Sequence, residues 1–134
     1  MSTLIAHITV VEGGESTFES LAAELFEISH RVEPGLRLYE YWRSATPREY
    51  YAIVACDDFR AFIAHQTSEH HETYGPRLGT VIESIRLEFV DPVRGATTLG
   101  ATVMQEPLPD ANELTIAYSR RFAAQIADWW QPLR

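Results

Sequence analysis

Three of the five histidines in this 134-residue chain, His65, His70 and His71, fall within one stretch of seven residues. Histidine is the side chain whose ordinary pKa lies closest to neutrality, so such a cluster beside apolar residues suits proton transfer or metal ligation. A metal site needs three or four converging ligands; His65 and His70 with Glu69 or Glu72 would be the candidate set. Adjacent helical residues point to different faces, however, and the stretch has no HExxH pair. No metal is therefore expected. His65 follows Ala61-Phe62 by about one turn and is the candidate general base, able to take a proton from a phenol or an activated C–H. Its alternative role is to hydrogen-bond across a helix break at Thr67-Ser68. Of the adjacent pair, His70 is expected at a pocket and His71 in solvent.

The elements that would position these residues follow from periodicity and capping. Leu4, Ala6, Ile8 and Val10 alternate along a first strand. After Gly13-Gly14, Ser16 or Thr17 can cap a helix whose apolar stripe is Phe18, Leu21, Leu25 and Ile28. Pro34 ends that helix near Val32, and Gly35 completes the turn. Leu36 to Arg43 and Tyr50 to Cys56 read as two strands joined by a short turn, an antiparallel hairpin. Asp57 or Asp58 caps a second helix bearing Phe59, Phe62 and Ile63, which Thr67-Ser68 interrupts and recaps toward Leu78. Ser84 to Val90 alternates as a fourth strand. The order β-α-β-β-α-β predicts an α+β, ferredoxin-like domain over residues 1–90 with an antiparallel sheet.

Residues 91–134 form an extension beyond that unit. Asp91 to Asp110 is rich in Gly, Thr and Pro, with a possible short strand at Leu99 to Gln105. Asp110 can cap a terminal amphipathic helix with Leu114, Tyr118, Phe122, Ile126 and Trp129 on one stripe. So long a connection is expected to serve the pocket or cross to a partner subunit.

Composition removes several classes of function. The formal net charge is −8 and no basic run occurs, which argues against nucleic acid and acidic membranes as partners. All eleven basic residues are arginine, so neither an internal lysine Schiff base nor a P-loop lysine is available. The single cysteine, Cys56, excludes an intrachain disulfide and a CxxC motif and reads as a buried thiol. No signal peptide or membrane span is evident, so a cytoplasmic location is the default expectation.

Several short motifs in order resemble the antibiotic biosynthesis monooxygenase superfamily. They are Ile8-Thr9-Val10-Val11-Glu12-Gly13, Phe18 and Leu21, Glu33-Pro34-Gly35 before Tyr39, and His65 followed by Ser68 and His70. The resemblance covers roughly residues 4 to 90. It implies a homodimer paired sheet to sheet into a shared α/β barrel, with a pocket between each sheet and its helices. Members include cofactor-free oxygenases of quinols, anthrones and polyketides, haem-degrading enzymes, an isomerase and proteins without known activity. The places that haem-degrading members fill with asparagine, tryptophan and histidine correspond to Ala6, His65 and Gly75, leaving no axial ligand. A Glu-x-Trp common near the end of the third strand is replaced by Val54 and Cys56.

The resemblance thus implies a cofactor-independent monooxygenase of an electron-rich aromatic, with His65 as catalytic base and no cofactor. Ala6, Tyr39, Phe62, His70 and Tyr74 are the expected substrate contacts. The rival is a non-catalytic dimeric module that binds a small ligand or a protein; base-catalysed isomerisation or decarboxylation is a third reading. Of the remaining histidines, His7 would face the dimer interface, and His30 would serve the C-terminus of the first helix. Arg37 and Arg86 would pair with acids or hold an anionic group.

Overall fold

A computed structural model describes residues 1–134. Four antiparallel strands, β1 (Ser2–Val10), β2 (Leu36–Arg43), β3 (Glu49–Cys56) and β4 (Ile82–Phe89), lie in the order β2-β3-β1-β4. The helices α1 (Glu15–Val32), α2 (Phe59–Gln66) and α3 (Glu69–Gly79) connect them in the ferredoxin-like order. Register places Ala6 opposite Ala52 and Leu87, and Leu4 opposite Val54 and Phe89, so these side chains share one face. That face meets the helices, and Phe18, Phe59 and Phe62 are fully buried against it. Each such ring contributes roughly 1.5–3 kcal/mol by leaving water.

Local signals explain the boundaries. Gly13 turns the chain with φ +74°, the Gly14 N–H bonds the Val11 carbonyl at 2.9 Å, and α1 begins at Glu15. Its N-cap is therefore Gly14 with no side-chain cap, rather than Ser16 or Thr17. Asp58 caps α2, accepting from the Ala61 N–H at 2.7 Å. The helix break falls at Thr67-Ser68, where Ser68 caps α3 and its hydroxyl donates back to the His65 carbonyl at 2.9 Å.

The extension departs from its expected form. Leu99 to Gln105 is not a strand, although the Val103 N–H reaches the Met1 carbonyl at 3.0 Å and Thr102 bridges the Thr3 N–H and the Val90 carbonyl. The last helix, α4 (Glu113–Arg121), is capped by Asn112, not Asp110, with the Asn112 carboxamide accepting from Thr115 at 2.8 Å. It stops before Ile126 and Trp129, because the chain bends so that the Ala124 N–H meets the Met104 sulfur at 3.3 Å. Trp129 sits in a short 3₁₀ turn, Asp128–Leu133, with 68% of its surface exposed. Arg134 then closes the extension by clasping Asp91 through two bonds of 2.9 Å. The extension packs on its own subunit: α4 lies against α2, and the Phe122 ring meets Phe62 edge-on.

Candidate active site

A cavity of about 490 Å³ separates the sheet from α3 and α4. Leu4, Ala6, Ile8, Val54, Tyr39 and His65 form its buried inner end. Gly75, Gly79, Ser84, Ile85 and Arg121 line the cavity and are exposed, which places its mouth at the β4 edge. Tyr41, His71 and Phe122 stand between the two ends in burial. An apolar wall carrying a few polar groups is the usual form of a small-molecule site.

His65 is 1% exposed and owes its position to the last turn of α2. Its Nδ1 lies 2.9 Å from Glu33 Oε2, and its Nε2 is buried without any hydrogen-bond partner. An ionised carboxylate only accepts, so Nδ1 carries the proton of the neutral ring and Nε2 keeps its lone pair. The unprotonated, basic nitrogen of the ring is thereby Nε2, in a residue that lines the cavity.

The carboxylate beside His65 is that of Glu33, from the α1–β2 turn and not from the third strand. It follows α1 at the helix C-cap, where Pro34 forbids another helical turn. The turn is pinned from both sides, by the Leu36 N–H on the Glu33 carbonyl at 3.2 Å and the Asp57 N–H on the Gly35 carbonyl at 2.9 Å. Gly35 has to be glycine here, since a Cβ would stand 2.9 Å from the Ala61 Cβ of α2. The Glu33 side chain thus turns into the α2–α3 break, where Oε1 also accepts from His70 Nε2 at 2.6 Å. Burial pushes its carboxyl up, but the hydrogen bond and charge of His65 and the bonds from His70 and Ser29 outweigh this and hold it at about 2. Glu33 remains ionised throughout the neutral range.

The Tyr39 and Tyr41 hydroxyls hydrogen-bond each other, and the Tyr39 ring stands edge-on to His65 with centroids 4.8 Å apart. Burial pushes the Tyr41 phenol up to about 12, and burial with the neighbouring Tyr41 raises Tyr39 well above its ordinary value. Both phenols are proton-bearing donors at neutral pH. One bond between two hydroxyls uses one O–H, and no other acceptor is bonded to either, so the second O–H of the pair has no acceptor within the chain.

The expected contacts separate in space. Ala6 and Tyr39 line the cavity with His65. Phe62 does not: it is 0% exposed, packed among Phe59, Phe89 and Phe122. His70 lies behind the wall on Glu33, Ser29 and Ser68. Its neighbour His71, expected in solvent, lines the cavity 4.9 Å from the His65 ring, and burial with the charge of His65 lowers it to about 3. Tyr74 turns outward to Glu24, its hydroxyl donating at 2.8 Å. The Ser68 cap fixes the phase of α3, and that phase sends His71 rather than His70 or Tyr74 toward the cavity. No group of three His, Cys, Asp or Glu side chains is placed to hold a metal ion, and both imidazoles are bonded to the Glu33 carboxylate.

His7, on the sheet face away from the helices, bonds Glu88 at 3.0 Å. His30 Nδ1 lies 2.9 Å from the Phe26 carbonyl, Arg37 pairs with Asp57, and Arg86 pairs with Glu88. A wider groove of about 700 Å³ between α1 and β2 holds no histidine, and its Glu19 and Arg43 are bound to each other. Cys56 is fully buried; burial and the nearby acids, Glu33 first, push its thiol to about 12. No helix is long and apolar enough to cross a membrane.

Residues 1–77 match the family model described as antibiotic biosynthesis monooxygenase. Among solved structures, Rv0793 from Mycobacterium tuberculosis is 21% identical, with 72% of this chain and 98% of that one aligned at a TM-score of 0.64. PA3566 from Pseudomonas aeruginosa is 24% identical over 66% and 90% of the two chains, with a TM-score of 0.61. A structure titled antibiotic biosynthesis monooxygenase is 22% identical over 69% and 99%, with a TM-score of 0.63. No curated protein matches the chain. The family match ends before β4, so Arg121 and Phe122 lie outside it.

Proposed function

The chain belongs to the antibiotic biosynthesis monooxygenase family, and within it we propose a cofactor-independent oxygenase of an electron-rich aromatic, a quinol or anthrone, with His65 as base. The observation that carries this reading is the unpartnered Nε2 of a buried histidine on the wall of an apolar cavity, with Nδ1 fixed by Glu33. A carboxylate behind an imidazole sets its tautomer and stabilises the cation formed when it accepts a proton.

In the proposed reaction His65 Nε2 removes a proton from the substrate, and the anion passes one electron to O2. The radical and superoxide combine to form a C–O bond, and the imidazolium returns its proton to make the hydroperoxide. The O–O bond then breaks as the oxygenated carbon loses its remaining hydrogen (the second of an anthrone CH2, the single ring hydrogen of a quinol), leaving a carbonyl and one water. Two substrate electron pairs reduce O2, and one oxygen atom stays on the product. The apolar walls shield the anion from water, and the available O–H of the Tyr39–Tyr41 pair stabilises its oxygen. The test is oxygen uptake with a panel of hydroquinones and anthrones. His65→Ala should lose about a hundredfold or more in kcat while still binding substrate; full turnover in that variant would remove His65 from the mechanism. Tight binding of these compounds without any oxygen uptake by the native protein would favour the ligand-binding rival.

We also propose that the open face of the sheet pairs with a second copy. It presents Tyr51 (37% exposed) and Trp42 (55% exposed) beside His7, and large exposed aromatics on one face suit an interface. Tyr51→Glu should give a monomer in sedimentation velocity; an unaltered dimer, or a native monomer, would refute this pairing.

A further inference from the structure

Eleven arginines carry the positive charge of this chain, and seven of them, including Arg43, Arg48 and Arg134, pair with carboxylates. Arg121 is different. It ends α4, lines the cavity at its mouth, and forms neither an ion pair nor a hydrogen bond. Two aromatic faces hold it instead: its guanidinium lies 5.0 Å from the Phe122 ring centroid and 6.0 Å from that of Tyr118. Tyr118 is tied in turn to Glu72 of α3, and Phe122 to Phe62 of α2. Stacking orients the planar fork while leaving its N–H donors without acceptors. The other charged side chain on the cavity wall, Glu83, is neutralised by Arg48 at 2.8 Å.

We propose that Arg121 recognises a carboxylate on the outer end of the substrate, so that the aromatic enters with its reacting hydroxyl or C–H toward His65 and its anionic substituent at the mouth. This inference rests on the oxygenase reading for the identity of the inner, reacting end. One guanidinium matches the single charge and two oxygens of a carboxylate. A dianionic phosphate would face the same single cation on a chain of net charge −8. The substrate class is then a hydroxylated aromatic acid rather than a neutral quinol. Because Arg121 lies beyond the family match, this preference is a property of the chain's own extension.

The test uses a naphthohydroquinone and its ring-carboxylated analogue as probes. Their dissociation constants are measured without oxygen by calorimetry, and their oxygen uptake is measured in air. The native protein should bind the acid roughly tenfold more tightly than the neutral compound at low salt, with the ratio shrinking as salt rises. Arg121→Gln should bring the ratio near one, Arg121→Lys should restore part of it, and Arg120→Gln, an exposed neighbour off the cavity wall, should keep it. A native ratio near one, or a ratio that survives Arg121→Gln, overturns the assignment. If the ratio behaves as expected but neither probe consumes oxygen, Arg121 stands and the oxygenase reading falls. If both consume oxygen with no preference, the oxygenase reading stands and the role of Arg121 falls. Failure of both probes to bind overturns both.

Discussion

At the inner end of the cavity, Glu33, His65 and His70 fix one another through bonds of 2.6 to 2.9 Å, and the His65 ring is sealed from solvent. At the mouth, Ile85 leaves 54% of its surface exposed, Gly75 has no side chain, and Arg121 rests only on aromatic faces. The inner cluster comes from the α1–β2 turn and the α2–α3 break, both within the family match, whereas β4 and α4 supply much of the mouth. Chemistry needs a group held to a fraction of an ångström, which over-determined hydrogen bonds provide. Entry and selection of a ligand tolerate looser walls, and a stacked, unbonded cation is suited to changing partners.

The sharpest way to break this contrast is at the proposed base, where the hundredfold loss expected for His65→Ala far exceeds any effect expected at the mouth. Glu33→Gln comes next. It should slow turnover through loss of the fixed tautomer and lower stability by about 2–3 kcal/mol, since removing one member of a buried charged cluster leaves the others unpaired. Its pH signature separates it from general damage. The folded carboxyl, at about 2, lies below its ordinary value of 4.5, so the unfolded chain takes up the proton first. That stabilisation is intact above about pH 4.5 and drains away as the pH falls toward about 2. Denaturant titrations across this window should show a steeper acid loss for the native protein than for Glu33→Gln; parallel curves would mean Glu33 is not held as described. The smallest effect belongs to the mouth. A Cβ at Gly75 meets nothing within 4 Å, so Gly75→Leu should fold as well as the native chain and weaken a bulky aromatic's binding by about tenfold. Undiminished affinity in a calorimetric titration would move the entrance elsewhere.

Much of this architecture is legible in the sequence because it is local. Alternation in Leu4 to Val10, the stripe from Phe18 to Ile28 and the Thr67-Ser68 break each follow from a few adjacent residues. His65 is visible by type and position. Its partner is not, since Glu33 stands 32 residues earlier and reads as part of a Glu-Pro-Gly turn. Only the approach of that turn to Ala61, which Gly35 permits, shows that the carboxylate reaches the α2–α3 junction. His70 and His71 differ by about 100° around a helix axis, and which one faces inward depends on where the Ser68 cap restarts the helix. The terminal stripe through Trp129 fails for a comparable reason: α4 ends at Arg121, and just beyond it the Ala124 N–H bonds the sulfur of Met104, distant in sequence.

If the proposed oxygenase reaction forms quinones, Cys56 and the absence of lysine take on a further meaning. Quinones are electrophiles that alkylate thiolates and primary amines, and a catalyst exposed to its own product at high local concentration is the first target. This chain offers no lysine amine, and its one thiol is fully buried and held at about 12, where the thiolate is scarce. Prolonged turnover should therefore leave the protein's intact mass unchanged at every internal position. Adducts on Cys56 in the folded state would show that this chemical quietness is absent.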